Sequence, residues 1–171
     1  MEHIAKLIRD VPDFPKPGIL FKDFTPLLAN PQAMAEVYDA MAAPMKALGV
    51  QAVLGIESRG FILGTPIADR LGVPFAPVRK PGKLPAKTVS VSYTLEYGED
   101  TLELHEDAIQ PGTRVAIVDD LLATGGTLEA ACRLAESIGA EVVTCSLLIE
   151  LSFLKGRERL KGRTVQSLIQ Y

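Results

Sequence analysis

Two adjacent carboxylates followed by a run of small residues are the most chemically suggestive feature of the chain. Asp119 and Asp120 close the apolar stretch Val115-Ala-Ile-Val118, and Leu121-Leu122-Ala123 leads on into Thr124-Gly125-Gly126-Thr127. The apolar stretch reads as a buried strand, and the small-residue turn after it enters a helix. In an open parallel sheet, ligands bind outside the carboxyl ends of the strands. There, Thr124 to Thr127 can gather backbone N–H groups and two hydroxyls around a phosphate at the positive end of the helix. Gly125 and Gly126 permit close approach of the backbone. The carboxylates of Asp119 and Asp120 would repel that phosphate on contact. They suit hydrogen bonds from a sugar's hydroxyls, or a place beside a ligand-bound Mg²⁺.

Familiar alternatives do not fit. The chain has no Gly-x-Gly-x-x-Gly, and the pair Gly55 and Gly60 is followed by Phe61-Ile62 where a P-loop needs Lys and Ser or Thr. Cys132 and Cys145 lack a Cys-x-x-Cys spacing, which argues against a disulfide scaffold or a cysteine zinc site and leaves them as small apolar core residues. His3 and His105 are too far apart in sequence to suggest a metal cluster, and His105, in the alternating run 101–105, reads as a solvent-facing strand residue.

The elements that must position these residues alternate along the chain. Asn30-Pro31 reads as the cap and first position of a helix carrying Met34, Val37, Tyr38, Met41, Met45 and Leu48 on one face, kinked at Pro44 and stopped by Gly49. A strand over 51–56, a turn at Glu57-Ser58-Arg59-Gly60, a helix to about Leu71 and a strand over 74–79 make one βαβ unit. A second unit runs from a strand at 114–119 through a helix with Leu128, Ala131, Ala135 and Ile138 on one face to a strand at 141–149. Two such units imply an α/β fold with a parallel sheet flanked by helices. Between them, residues 80–90 form a basic, proline-interrupted loop. It runs into a hairpin in which Val89, Val91, Tyr93 and Leu95 alternate with polar neighbours, residues 97–100 turn, and Leu102 and Leu104 return. Such a hairpin can cover a site as a flap.

Composition bounds the rest. The chain has 171 residues, 47% hydrophobic and 23% charged, which suits one folded domain. No run approaches the ~18 apolar residues of a membrane span. With a net charge of −3, bulk attraction to nucleic acid or anionic lipid is not expected. The N-terminus lacks the basic start and apolar run of a secretory signal, so the expected location is cytoplasmic.

Residues 115–127 resemble the phosphoribosyl pyrophosphate (PRPP) motif of the type I phosphoribosyltransferases, in the spelling used by the branch of that family that takes adenine. The resemblance spans nearly the whole chain, 1–171, read as one domain. Residues 13–27 resemble the family's N-terminal hood (about 1–30 in all), Glu57 to Phe61 its pyrophosphate loop, Arg79 to Pro85 its flexible loop, and Ser92 to Gly98 its flap, the last two within about 80–105. The implied fold is that of the family, a parallel sheet flanked by helices with a small hood and a flap hairpin. The implied reaction converts adenine and PRPP to AMP and pyrophosphate in purine salvage, with Mg²⁺ carried mainly by PRPP rather than by direct protein ligands.

The resemblance also assigns roles. Ala123, Thr124, Gly125, Gly126 and Thr127 take the 5-phosphate, and Asp119 and Asp120 face the ribose. Ser58, Arg59, Arg79, Lys80 and Lys83 handle pyrophosphate, the basic loop being donated across a homodimer interface. Family members often hold a non-proline cis peptide in the pyrophosphate loop, here matched to Ser58-Arg59. Relatives that use 6-oxopurines usually carry Asp at the position of Ala123, so acid–base duty passes to Glu96 in the flap, with Tyr97 closing the site. Leu20, Phe21 and Lys22 would meet adenine, chiefly through main chain, with Phe21 or Leu121 as apolar walls. Two other readings use the same residues: a phosphoribosyltransferase for another purine, and a PRPP-sensing regulator without catalysis. Ala123 and the hood argue against the first, and the acidic chain with no spare nucleic-acid-binding segment argues against the second.

Overall fold

The structure, a computed structural model, describes residues 1–95 and 98–171; Glu96 and Tyr97 lie outside the described residues. The chain begins with a short helix α1 (Glu2–Ala5), an antiparallel pair β1 (Arg9–Pro12) and β2 (Leu20–Asp23), and a single turn of helix α2 (Thr25–Leu28). Helix α3 (Pro31–Ala47) starts as its sequence dictates: the Asn30 side chain accepts the Ala33 N–H at 3.1 Å, and proline occupies the first turn. Met34, Val37, Met41 and Met45 are buried along its inner face. The helix runs undivided through Pro44, because the donor that proline lacks falls in the last turn, where the Leu48 N–H still reaches the Pro44 carbonyl at 3.1 Å.

Strand β3 (Ala52–Ile56), helix α4 (Arg59–Leu71) and strand β4 (Phe75–Val78) form the first βαβ unit. The hairpin β5 (Thr88–Leu95) and β6 (Gly98–His105) follows. Gly98, Glu99 and Asp100 belong to β6 rather than to a turn, since the ladder pairs Leu95 directly with Gly98. The second unit is β7 (Arg114–Leu122), α5 (Gly126–Ser137) and β8 (Glu141–Glu150). Two short 3₁₀ turns, Ser152–Leu154 and Gly156–Leu160, lead to β9 (Val165–Gln170).

The five central strands are parallel in the order β4-β3-β7-β8-β9. The chain winds outward in one direction from β3 to β4 and in the other from β7 to β9, so the topology switches between β3 and β7. Alternation along the strands divides the core. Val53, Ala116 and Val118 pack with Leu63 and Ile67 of α4 and with α3 on one face. Leu54, Ile56, Val115 and Ile117 pack with α5 and the hairpin on the other. Tyr93, Leu102 and Leu104 are buried in this second layer, so the body of the hairpin is part of the core rather than a free-standing cover. His105 is half-buried, its Nε2 facing the Ala86 N–H at 3.3 Å.

β7 does not stop at the acids; it continues to Leu122 because β8 pairs with it through Leu121↔Ile149 and Leu122↔Glu150. The two cysteines also meet. Cys132 on α5 and Cys145 on β8 are fully buried with their sulfurs 3.4 Å apart, an approach that sequence spacing does not reveal. Among the described residues, no helix is long and apolar enough to cross a membrane.

Candidate active site

A pocket of about 440 Å³ opens outside the carboxyl ends of β3 and β7, at the point where the topology switches. Its wall comes from the end of β3 and the turn after it (residues 56–59), from Lys80, and from residues 119–128, which run from the end of β7 into the first turn of α5. The first and last of these segments are the two loops that sequence reasoning singled out.

Thr124 to Thr127 turn from β7 into α5 through Gly125, whose φ of +87° is a conformation that side-chain-bearing residues rarely adopt. The turn also leaves no room for a side chain, since a Cβ on Gly125 would stand 2.5 Å from the Gly156 carbonyl oxygen. The first N–H groups of α5 have no carbonyl partner within the helix and face the pocket with the positive end of the helix dipole. Thr127 Oγ1 donates to the hydroxyl of Tyr93 at 3.3 Å. Arg159 approaches from the C-terminal turn and pairs with Glu129 in the first turn of α5 at 3.7 Å.

The adjacent carboxylates are not equivalent. Asp120 is buried and binds Arg59, with Nε to Oδ2 at 2.6 Å. Asp119 Oδ1 accepts the Asp120 N–H at 2.9 Å. Burial, reinforced by the neighbouring Asp120 carboxylate, pushes the Asp119 carboxyl well above the usual carboxylate range. A group in that state gains from an added cation or hydroxyl donors. Gly60 allows α4 to start here, because a Cβ on it would lie 2.7 Å from the Val118 carbonyl oxygen and 3.2 Å from Asp119 Oδ1.

In the second loop, the non-proline cis peptide joins Glu57 to Ser58, one bond earlier than the match to Ser58-Arg59. Ser58 and Arg59 line the pocket. The side chain of Glu57, which sequence reasoning placed in the pyrophosphate loop without a role of its own, organises the basic residues. Its carboxylate accepts from Arg79 Nε and Nη2, each at 3.2 Å, and from the Lys80 N–H at 2.8 Å. Burial alone would raise the Glu57 carboxyl, but these donors hold it below the usual range. Lys80 lines the pocket, and its ammonium is paired with Asp100 of β6. Arg79 and the exposed Lys83 stand off the pocket wall, with Arg79 Nη1 on the Lys83 carbonyl at 3.1 Å.

Comparison with known proteins gives this geometry its family. The phosphoribosyl transferase domain matches residues 25–166. The adenine phosphoribosyltransferase of Chloroflexus aurantiacus is 56% identical over 170 residues, covering 99% of this chain and 98% of that protein. The chain belongs to the phosphoribosyltransferase family. Its fold is the type I phosphoribosyltransferase fold: the crystal structure of adenine phosphoribosyltransferase from Thermoanaerobacter pseudethanolicus superposes with a TM-score of 0.97 at 50% identity, covering 99% of each chain. The Saccharomyces cerevisiae adenine phosphoribosyltransferase, solved with an imino-altritol bisphosphate and adenine, superposes with a TM-score of 0.90 at 39% identity over 96% of this chain and 98% of that one.

In this phosphoribosyltransferase the N-terminal hairpin meets the pocket-lining Arg59 through Phe21, while Leu20, Phe21 and Lys22 are not themselves part of the pocket wall. The Arg59 guanidinium lies 5.4 Å from the Phe21 ring centre, and Phe14 packs edge-on against the same ring at 5.2 Å. Leu20 is exposed. The Lys22 side chain is buried away from the pocket, with Nζ on Asp10 Oδ1 at 2.6 Å and over the Tyr171 ring at 3.8 Å. β2 pairs with β1 alone, so among the described residues its other edge meets no strand. Leu121 and Ala123 both line the pocket. Glu96 and Tyr97, assigned to the flap, fall outside the described residues. The residues that sequence reasoning missed are Glu57, Tyr93, Asp100 and Gly156, and each acts through a partner at least seven residues away. The only local sign was at Tyr93, which alternation placed on the buried face of its strand.

Proposed function

We propose that this chain is an adenine phosphoribosyltransferase, transferring the 5-phosphoribosyl group of PRPP to N9 of adenine to give AMP and pyrophosphate. The observation that carries the reading is the convergence on one pocket of an anion cradle at the start of α5, the Asp119–Asp120 pair, Arg59 of the second loop and Lys80 from the loop after β4. PRPP has a 5-phosphate, two ribose hydroxyls and a pyrophosphate, and the pocket offers a chemical match to each. Relatives named adenine phosphoribosyltransferase support the choice of base, and Ala123 in place of an acid agrees with it.

The 5-phosphate sits on the N–H groups of residues 124–127 and the Thr124 hydroxyl, the Thr127 hydroxyl proton being given to Tyr93. Asp119 and Asp120 accept the ribose hydroxyls. The N9 lone pair of adenine attacks C1, and the bond from C1 to pyrophosphate breaks with its electron pair leaving on oxygen. The transition state has oxocarbenium character, so donors near the leaving group and exclusion of water lower the barrier. Ser58, Arg59 and Lys80 supply such donors. Glu96 takes up the acid–base role at the N7/N9 edge of the base, with Tyr97 closing over it. Main chain of residues 20–22 reads the base edge, the open side of β2 being suited to that, and Phe21 and Leu121 form apolar walls. A magnesium ion, when bound with pyrophosphate, offsets leaving-group charge, and the hard oxygen donors of Asp119 and Asp120 fit its neighbourhood.

Residues 1–171 act as one domain in this reading, with a hood at about 1–30 and the family's flexible loop and flap at about 80–105. The enzyme works as a homodimer in the cytoplasm. The homodimer rests on the family resemblance, in which the basic loop is donated across the interface.

The deciding experiment is AMP formation from adenine and PRPP, with and without Mg²⁺, beside hypoxanthine and guanine. Metal-dependent conversion of adenine alone is the expected result. Conversion of a 6-oxopurine in preference would overturn the base assignment, and PRPP binding with no base converted would leave a sensor.

A further inference from the structure

Tyr93 ties two walls of the pocket together, and no step of the reaction above uses it. Its ring is buried in the layer formed by α5 and the hairpin, with Leu128 and Ala131 in the same cluster. Its hydroxyl meets polar groups from two elements and the loop after β4. Thr127 Oγ1 of α5 lies at 3.3 Å, Asp100 Oδ2 of β6 at 3.2 Å, and Lys80 Nζ at 3.5 Å. A phenol has one proton to give and two lone pairs to receive with. The carboxylate of Asp100 can only accept and the ammonium of Lys80 can only donate, so the Tyr93 proton points to Asp100 and its lone pairs face Lys80 and Thr127. The set is filled, and that gives the hydroxyl one orientation.

We propose that Tyr93 is a positioning residue for PRPP, holding Thr127 at the 5-phosphate end and Lys80 at the pyrophosphate end in one hydrogen-bonded unit. The inference rests on the reading of the pocket as a PRPP site. Without the hydroxyl, Thr127 and Lys80 lose a shared anchor and sample orientations that do not meet both ends of the ligand at once. Asp100 keeps the ammonium charged and in place. Burial alone would lower the Lys80 pKa, but the bond it donates to Asp100 together with the Tyr93 oxygen raises it.

Tyr93→Phe removes the hydroxyl and leaves the ring that fills the core. The test measures PRPP affinity by calorimetry on the intact protein, alongside KM values for PRPP and adenine and the thermal midpoint. Expected is PRPP binding weaker by about 3- to 10-fold, the loss typical of a neutral hydrogen bond, with the adenine KM within about twofold and the midpoint little changed. Unchanged PRPP affinity in Tyr93→Phe overturns the proposal, as does a fall in midpoint with PRPP and adenine affected alike, which marks a purely structural role. Absence of AMP formation by the unsubstituted protein would fail the enzymatic reading separately, since the calorimetric comparison needs no turnover. Absence of PRPP binding by the unsubstituted protein would overturn both.

Discussion

A Cβ on Gly156 would stand 2.2 Å from the carbonyl oxygen of Ala123, so the turn that follows β8 lies directly on the loop that leads into the anion cradle. The same closeness runs the other way, since a Cβ on Gly125 would stand 2.5 Å from the Gly156 carbonyl oxygen. Backbone meets backbone here, and no flexible side chain can yield. Gly156→Ala is therefore expected to cost about 1 to 3 kcal/mol, as overpacking does, and to lower the thermal midpoint by about 2 to 4 °C for each kcal/mol. Because the strain falls on the cradle, PRPP affinity should fall with stability. Thermal unfolding and calorimetry on one preparation check both, and a loss of stability with full PRPP affinity would separate the turn from the site.

Asp119→Asn should act in opposite directions on stability and on binding. The folded carboxyl titrates above its unfolded value, which lies near 3.9, so the folded state holds its proton more tightly. Stability from this group is present below the unfolded pKa and is lost as pH rises through the folded one. Asparagine removes that penalty. The free variant should melt higher than the natural protein at pH 7, with the gain shrinking towards pH 4, while PRPP binds at least about tenfold more weakly because a charged hydrogen-bond acceptor is gone. Equal PRPP affinity would remove Asp119 from the ribose site.

Glu150 titrates the other way. Arg157 binds both of its oxygens at 2.7 Å, Ser167 adds a bond at 2.5 Å, and the Arg157 contacts hold the buried carboxyl below its usual range. Its stability is present above the unfolded value near 4.3 and is lost as pH falls through the folded value. Glu150→Gln should cost about 2 kcal/mol at pH 7, the scale of a hydrogen bond to a charged group, with the difference from the natural protein narrowing below pH 4. Melting curves across pH 3 to 8 read this directly, and a constant difference would show that charge is not what Glu150 contributes.

Glu96→Gln should lower kcat with PRPP affinity largely kept, since the assigned role is at the base and not at the phosphates. Single-turnover AMP formation beside PRPP calorimetry separates the two, and unaltered turnover would take Glu96 out of the chemistry.

The parts legible in the sequence are those governed by short-range pattern. Asn30 capping α3, the apolar face of α5 at Leu128, Ala131 and Ala135, and the glycine turn into α5 follow from residue type and spacing within about a dozen positions. The strand β7 ran past the acids because pairing to β8 through Glu150 decided its end, and that neighbour is supplied only by the folded sheet. Arg59 with Asp120, Arg79 with Glu57 and Lys80 with Asp100 each join residues 20 or more positions apart, so no local pattern announces them. Cys132 and Cys145 show the same limit: both were legible as buried, but their contact was not, because it depends on how α5 lies across β8.

That contact also makes the core its own clock. Both sulfurs are sealed from solvent beneath the helix whose first turn builds the cradle, so a thiol reagent can label them only in the moments when α5 lifts from the sheet. The labelling rate therefore counts openings of the helix, and a ligand seated on its first turn should slow the count.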